Sequence, residues 1–265
     1  MSVSKRPSRW LLALLAVVAG TFAATPLAAV STEVTVRVIS KDAKFVGTSM
    51  GGVLVTLRDA DTGRLLAEGL TAGGTGDTQK IMVDAHKRGA VLSTPDAAAF
   101  TATLDLDRPT LLEVTAFGPQ GQRQSANRVS ITQWVVPGKH LNGGDGLLLE
   151  LPGLVVDVLA PAAHSTHAGL PKTLDIAANV TMMCGCPLTP GGLWDSNKFE
   201  VRGLVRRDGQ LVDSLGFALG YAGTASQFAG QLTVDQPGTY EVTVYAYDAA
   251  SGNTGLDRVT FMVRP

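Results

Sequence analysis

The feature that most constrains the fold is a two-residue alternation of apolar and polar side chains, carried in short runs that turn-forming residues interrupt. Glu33–Ser40 (EVTVRVIS), Thr110–Phe117 (TLLEVTAF) and Tyr240–Tyr247 (YEVTVYAY) each show it. Successive side chains of an extended strand point to opposite faces, so such a run buries one face and wets the other. An amphipathic helix would need apolar residues three and four apart, and only Lys80–Arg88 offers a weak version of that pattern.

The same reading expects strands at Gly52–Asp59, Arg64–Leu70, Ala97–Leu106, Asn127–Val136 and Gly146–Leu151. Beyond Pro152-Gly153 it expects Leu154–Leu159, Leu174–Met182, Phe199–Arg206, Gln210–Leu215, Gln227–Val234 and Val259–Val263. Asp61-Thr62-Gly63, Asp107-Arg108-Pro109 and Arg207-Asp208-Gly209 supply turns between them. Strands of this length and spacing predict an all-β chain of two tandem β-sandwich domains. A chain of 265 residues is long enough to bury two cores, and its 30 glycines suit a turn-rich fold. The expected division is residues 31–152 for the first domain and 153–265 for the second.

Residues 1–30 read as a secretory signal peptide. Lys5, Arg6 and Arg9 form a basic region, Trp10–Phe22 an apolar one, and small residues follow around Ala28, Ala29 and Ser31. The apolar run is too short to cross a bilayer comfortably. No second segment approaches that length, so no transmembrane segment is expected after signal removal. The expected location is periplasmic or secreted, an oxidising setting. Removing the three basic residues takes the net charge from −1 to −4, and no basic cluster remains to attract nucleic acid.

One stretch departs from the strand-and-turn pattern. Thr181–Trp194 (TMMCGCPLTPGGLW) holds both cysteines, two of the six methionines and one of the three tryptophans. Cys184 and Cys186 flank a single glycine. In an extended backbone both thiolates would point the same way and grip one ion. Met182 and Met183 would add thioethers, and thiolate with thioether favours Cu(I). Metal ligands Cys184, Cys186, Met182 and Met183, with copper as the ion, make the leading expectation: a non-catalytic binding or accessory protein. Two alternatives stay open. The pair is a labile disulfide of a thiol-redox accessory protein, or the chain is a structural or interaction module of the envelope with no ligand of its own. The expected partner is accordingly a metal ion or an envelope protein.

Strand geometry places His164 and His167 at the pole opposite the cysteines, since the strand Leu174–Met182 separates them by about 30 Å. It also places the cysteine loop at the junction between the halves, with Trp194 near the first half and loop Lys41–Gly51, including Met50, as a candidate neighbour. Loop Asp248–Asn253 should share that pole and, with Asp195, offers oxygen atoms to calcium, although exposed turn acids are the ordinary reading. His86 and His140 are expected in solvated loops. Gly47-Thr48-Ser49-Met50-Gly51 matches the nucleophile-elbow pattern, but a strand follows it where the elbow needs a helix. No metalloprotease, phosphate-loop or dinucleotide pattern is present, and the chain is not expected to be an enzyme.

Two resemblances add to this reading. The segment VLVTLRDADTGRLLAEGLTAGGTGD (53–77), with its D-x-x-T-G turn, resembles transthyretin-like or carboxypeptidase-regulatory-like sandwiches of exported proteins. Asp235-Gln-Pro-Gly238-Thr-Tyr240 resembles the penultimate strand of immunoglobulin-like domains. That likeness implies that the Tyr240 hydroxyl bonds back to the main chain at the sandwich corner. It departs at the cysteines, because Val242 stands where antibody domains carry their second one.

Overall fold

The computed structural model describes Met1 and residues 29–265, with residues 213–215 described by their backbone alone. Most of the expected signal peptide lies outside the described residues. Among the described residues, no helix is long and apolar enough to cross a membrane.

The first sandwich is built from β1 (Val30–Ser40), β2 (Leu54–Asp59), β3 (Leu65–Leu70), a short helix α1 (Thr78–Met82), β4 (Phe100–Leu106), β5 (Thr110–Gly118), β6 (Asn127–Val135) and β7 (Leu147–Leu151). One sheet has the order β4-β1-β7, with β1 and β7 parallel, and the facing sheet the order β3-β2-β5-β6. Alternation does the folding: in β5, Leu112, Val114 and Ala116 turn inward and are fully buried, while their neighbours stay half-exposed. They meet Val34, Val36 and Val38 of β1 and Val55 and Leu57 of β2 in one core.

The second sandwich comprises β8 (Leu154–Ala160), β9 (Thr166–Ala168), β10 (Lys172–Met182), β11 (Phe199–Arg207), β12 (Gln210–Ala218), β13 (Gly220–Tyr221), β14 (Gln227–Val234), β15 (Gly238–Asp248) and β16 (Thr254–Arg264). Its sheets run β13-β14-β10-β8 and β12-β11-β15-β16-β9. The expected corner is present: the Tyr240 hydroxyl donates to the Gln236 carbonyl at 2.8 Å, and the ring stacks on Phe261. Val242 is wholly buried, so packing fills the place a cysteine takes in antibody domains. Asp208 and Gly209 both have positive φ, as a two-residue β11–β12 hairpin turn requires.

The chain is thus all-β, two β-sandwiches in tandem, and three differences from expectation have local causes. The helix covers Thr78–Met82 instead of Lys80–Arg88. The Asp77 carboxylate accepts from the Lys80 amide and starts it earlier, and beyond Met82 the residues lie exposed with nothing to pack against. β4 begins at Phe100, because Ala97 and Ala98 turn aside into a small separate core with Ile39, Phe45 and Ile81. The short edge strands β9 and β13 carry no alternation long enough to be read. Residues Gly47–Gly51 form a single 3-10 turn leading to β2, with Ser49 exposed and no helix behind it.

The cysteine turn and the joint between the sandwiches

β10 ends at Met182, and the chain reverses at once. The Gly185 amide donates to the Met182 carbonyl at 2.8 Å, and the Met182 amide donates to the Cys186 carbonyl at 3.1 Å. This is a three-residue hairpin loop, Met183–Gly185, whose last residue must be left-handed. Gly185 takes that conformation at φ +79°. A side chain there would also strike the other half of the molecule, because its Cβ would lie 2.6 Å from the Met50 sulfur. The positive φ is what favours glycine between the cysteines, since the Met50 side chain is flexible enough to shift.

Cys184 and Cys186 are joined as a disulfide across this glycine, with their Cα atoms 5.4 Å apart. They are 1% and 6% exposed, so Cys186 is the more accessible of two nearly buried sulfurs. The structure brings the two cysteines together but not the four residues expected as a metal set. Met182 lies in the core of the second sandwich and Met183 in the core of the first. The two thioethers diverge, as neighbours at a strand end do. Among the described residues, no three His, Cys, Asp or Glu side chains converge as a metal-ligand group.

The turn lies at the joint between the sandwiches, where strand geometry put it. β8 runs antiparallel to β10 with Leu154 opposite Met182, so the linker Pro152-Gly153 and the turn share one pole. Trp194 Nε1 donates to the Asp42 carbonyl at 2.9 Å. Asn253, fully buried, accepts from the Gly153 amide at 2.8 Å and donates to the Lys41 carbonyl at 3.0 Å. Asn127 donates to the Pro152 carbonyl, and the Ser125 hydroxyl both accepts from the Val156 amide and donates to its carbonyl. The apolar layers interlock too. Met183 and Val155 belong to the first core, Ala43 belongs to the second, and Met82 of α1 packs against the second. Met50, in loop Lys41–Gly51, lies beside the turn as expected, and loop Asp248–Asn253 shares that pole. Met82 and the bonding role of Asn253 were not found by sequence reasoning, because nothing local marks them as joint residues.

The other candidate groups are held by their own turns. The Asp195 carboxylate accepts from the amides of Gly191 and Asn197, and these bonds keep it below the ordinary carboxylate range. Asp248 accepts from the amides of Ala250 and Ser251 and from the Ser251 hydroxyl. Asp42, at φ +56°, behaves differently. Desolvation first, then the negative charges of Asp248 and Glu150, push its carboxyl above the ordinary value, against the pull of Lys41. His164 and His167 lie at the far end of the second sandwich. His164 donates its amide to Thr260, and β9 pairs His167 with Val263 near the end of β16, whose start lies at the joint. His86 and His140 are exposed in loops of the first sandwich.

No family model matches the chain, and no curated protein matches it in sequence. Solved structures similar to it include an engineered protein, at 19% identity over 49% of this chain with a TM-score of 0.31. This chain spans 24% of that protein's length. The fibronectin(III)-like modules of Clostridium thermocellum CbhA are 16% identical, with 88% of this chain and 94% of theirs covered and a TM-score of 0.30. The titin domains Z1Z2 in complex with telethonin are 13% identical, with 90% and 96% covered and a TM-score of 0.25.

Proposed function

We propose that this chain is an exported, non-catalytic interaction module of the cell envelope, in which two β-sandwiches act as one stiff body. The observation that supports this is the interlocked joint: each core contains residues of the other half, and the buried Asn253 amide bonds both the linker and the first sandwich. Tandem domains move relative to one another unless the contact between them is extensive and apolar. A stiff pair holds its outer surfaces at a fixed separation, which suits an element that spaces or orients partners. Small-angle X-ray scattering of the oxidised chain without its leader tests this. A profile fitted by one rigid conformation supports the module, and one that needs a spread of hinge angles overturns it. The periplasmic or secreted location is supported by the leader expected from the sequence, and is tested by fractionating cells that express the full chain.

A second reading keeps the soft-metal role, supported by the 5.4 Å separation of the two cysteine Cα atoms on one turn. After reduction, Cys184 and Cys186 would hold one Cu(I) between two thiolates. Met182 and Met183 stay out of the ligand set on this reading, each buried in its own core. Titration of the reduced chain with Cu(I), beside a Cys184→Ser/Cys186→Ser variant and against a chromophoric competitor, decides it. Tight one-to-one binding lost in the variant supports copper handling, and equal weak binding by both removes it.

A further inference from the structure

We propose that the Cys184–Cys186 disulfide is a redox latch on the joint: closed, it locks the two sandwiches together, and reduction lets them move. The inference rests on the stiff joint proposed above and adds the condition that controls it.

The argument starts from what the three-residue loop touches. Met183 enters the first core, and Gly185 lies under the Met50 sulfur of the first sandwich. This loop therefore contacts the first sandwich at both of its ends. The disulfide closes directly across it. Its conformation is otherwise held by two main-chain bonds at the loop base and by the Thr181–Pro187 bridge. The second core keeps its own supports at the far pole, including the Tyr240 corner and the end of the β15–β16 ladder where Gly238 pairs with Val263. Opening the ring therefore loosens the joint and leaves the sandwich folded. A disulfide placed to hold a fold together would instead join distant strands, and here both sulfurs sit on one turn.

The chemistry balances with a dithiol as the reductant. Its thiolate attacks the more exposed Cys186 sulfur, the sulfur–sulfur bond breaks, and Cys184 leaves as a thiolate that takes a proton. The reductant's second thiol then attacks the mixed disulfide, releases Cys186 as a thiol and leaves the reductant oxidised to its own disulfide. Two electrons and two protons pass to the protein.

Amide hydrogen exchange on the whole mature chain, oxidised and dithiol-reduced, is the test, with scattering measured on the same samples. Reduction is expected to speed exchange by at least about 10-fold in Met182–Leu188 and Lys41–Gly52, with the far ends of β15 and β16 (residues 238–242 and 259–263) unchanged, and to broaden the scattering distribution. The Cys184→Ser/Cys186→Ser variant is expected to match the reduced protein without any reductant. Trp194→Phe, which removes a joint bond and leaves the disulfide, is expected to loosen Lys41–Gly52 in both redox states. Equal exchange in the two states overturns the latch but leaves the stiff joint standing. A joint that is mobile in the oxidised chain overturns both. A disulfide that no dithiol reduces in the folded protein, or exchange that rises throughout β15 and β16, also overturns the latch.

Discussion

Gly185 is the constrained residue of the cysteine turn. It must adopt positive φ, and its α-carbon hydrogen faces the Met50 sulfur. Gly185→Ala is expected to lower stability by about 1–3 kcal/mol, read as a lower urea midpoint at unchanged slope. A wild-type midpoint would mean that the turn does not need this conformation. The disulfide beside it contributes little to global stability. Loop-closure entropy for a three-residue ring is about 1.6 kcal/mol, against about 3 kcal/mol for fifteen residues. Its effect is local, on the turn. The cysteines and the glycine were legible in the sequence because their spacing is itself the signal. Strand geometry put loop Lys41–Gly51, with Met50, beside the turn, but that the Met50 sulfur faces Gly185 itself is decided only on folding.

Among the elements, the β2–β3 hairpin shows how a turn read from sequence acquires chemistry. The buried Asp59 carboxylate accepts from the Asp61 and Thr62 amides and pairs with Arg108 at 3.1 Å. Desolvation alone would raise its pKa, but the Thr62 and Asp61 bonds and the Arg108 charge outweigh it and hold the carboxyl below its ordinary value. A lowered folded pKa means stability that is present above the unfolded value, near 3.8, and lost as pH falls through the folded one. Asp59→Asn is therefore expected to be less stable than wild type at pH 7, with the gap closing as pH drops below that range. Thermal unfolding between pH 2 and 7 checks it, and a gap independent of pH would mean that charge is not the cause. Most strands were legible to within a few residues at their ends, because alternation is a property of each strand alone. β9 and β13 were not, since so short a segment is extended only because β16 or β14 offers it hydrogen bonds.

At the scale of the whole molecule the joint decides behaviour. Met183 is a residue of the second sandwich that fills the core of the first. Met183→Ala is expected to destabilise the protein by about 2–5 kcal/mol. Exchange protection is expected to fall in both halves, and loss confined to the second half would count against an interlocked joint. Asp42 gives the joint a pH dependence of the opposite sign to that of Asp59. Its folded pKa is raised by desolvation and by Asp248 and Glu150, so its ionised form costs stability above the unfolded value near 3.8. Asp42→Asn keeps the tolerance for positive φ. The variant is expected to melt higher than wild type at pH 7 and together with it at pH 2.5, as differential scanning calorimetry would show.

The sequence by itself determined the all-β class, the run of strands and the turns between them. Each of these follows from residues within one strand or one turn, where period and φ preference act without outside help. Strand geometry carried it one step further, to the pole on which the cysteine turn lies. Only the tertiary structure decided what the turn touches. Alternation makes Met182 and Met183 face opposite ways, but which core receives each depends on how two sandwiches abut. For the same reason the expected cluster of four sulfur ligands resolved into one disulfide and two core methionines. Shared surface between distant segments, which no local pattern encodes, assigned each side chain its neighbours.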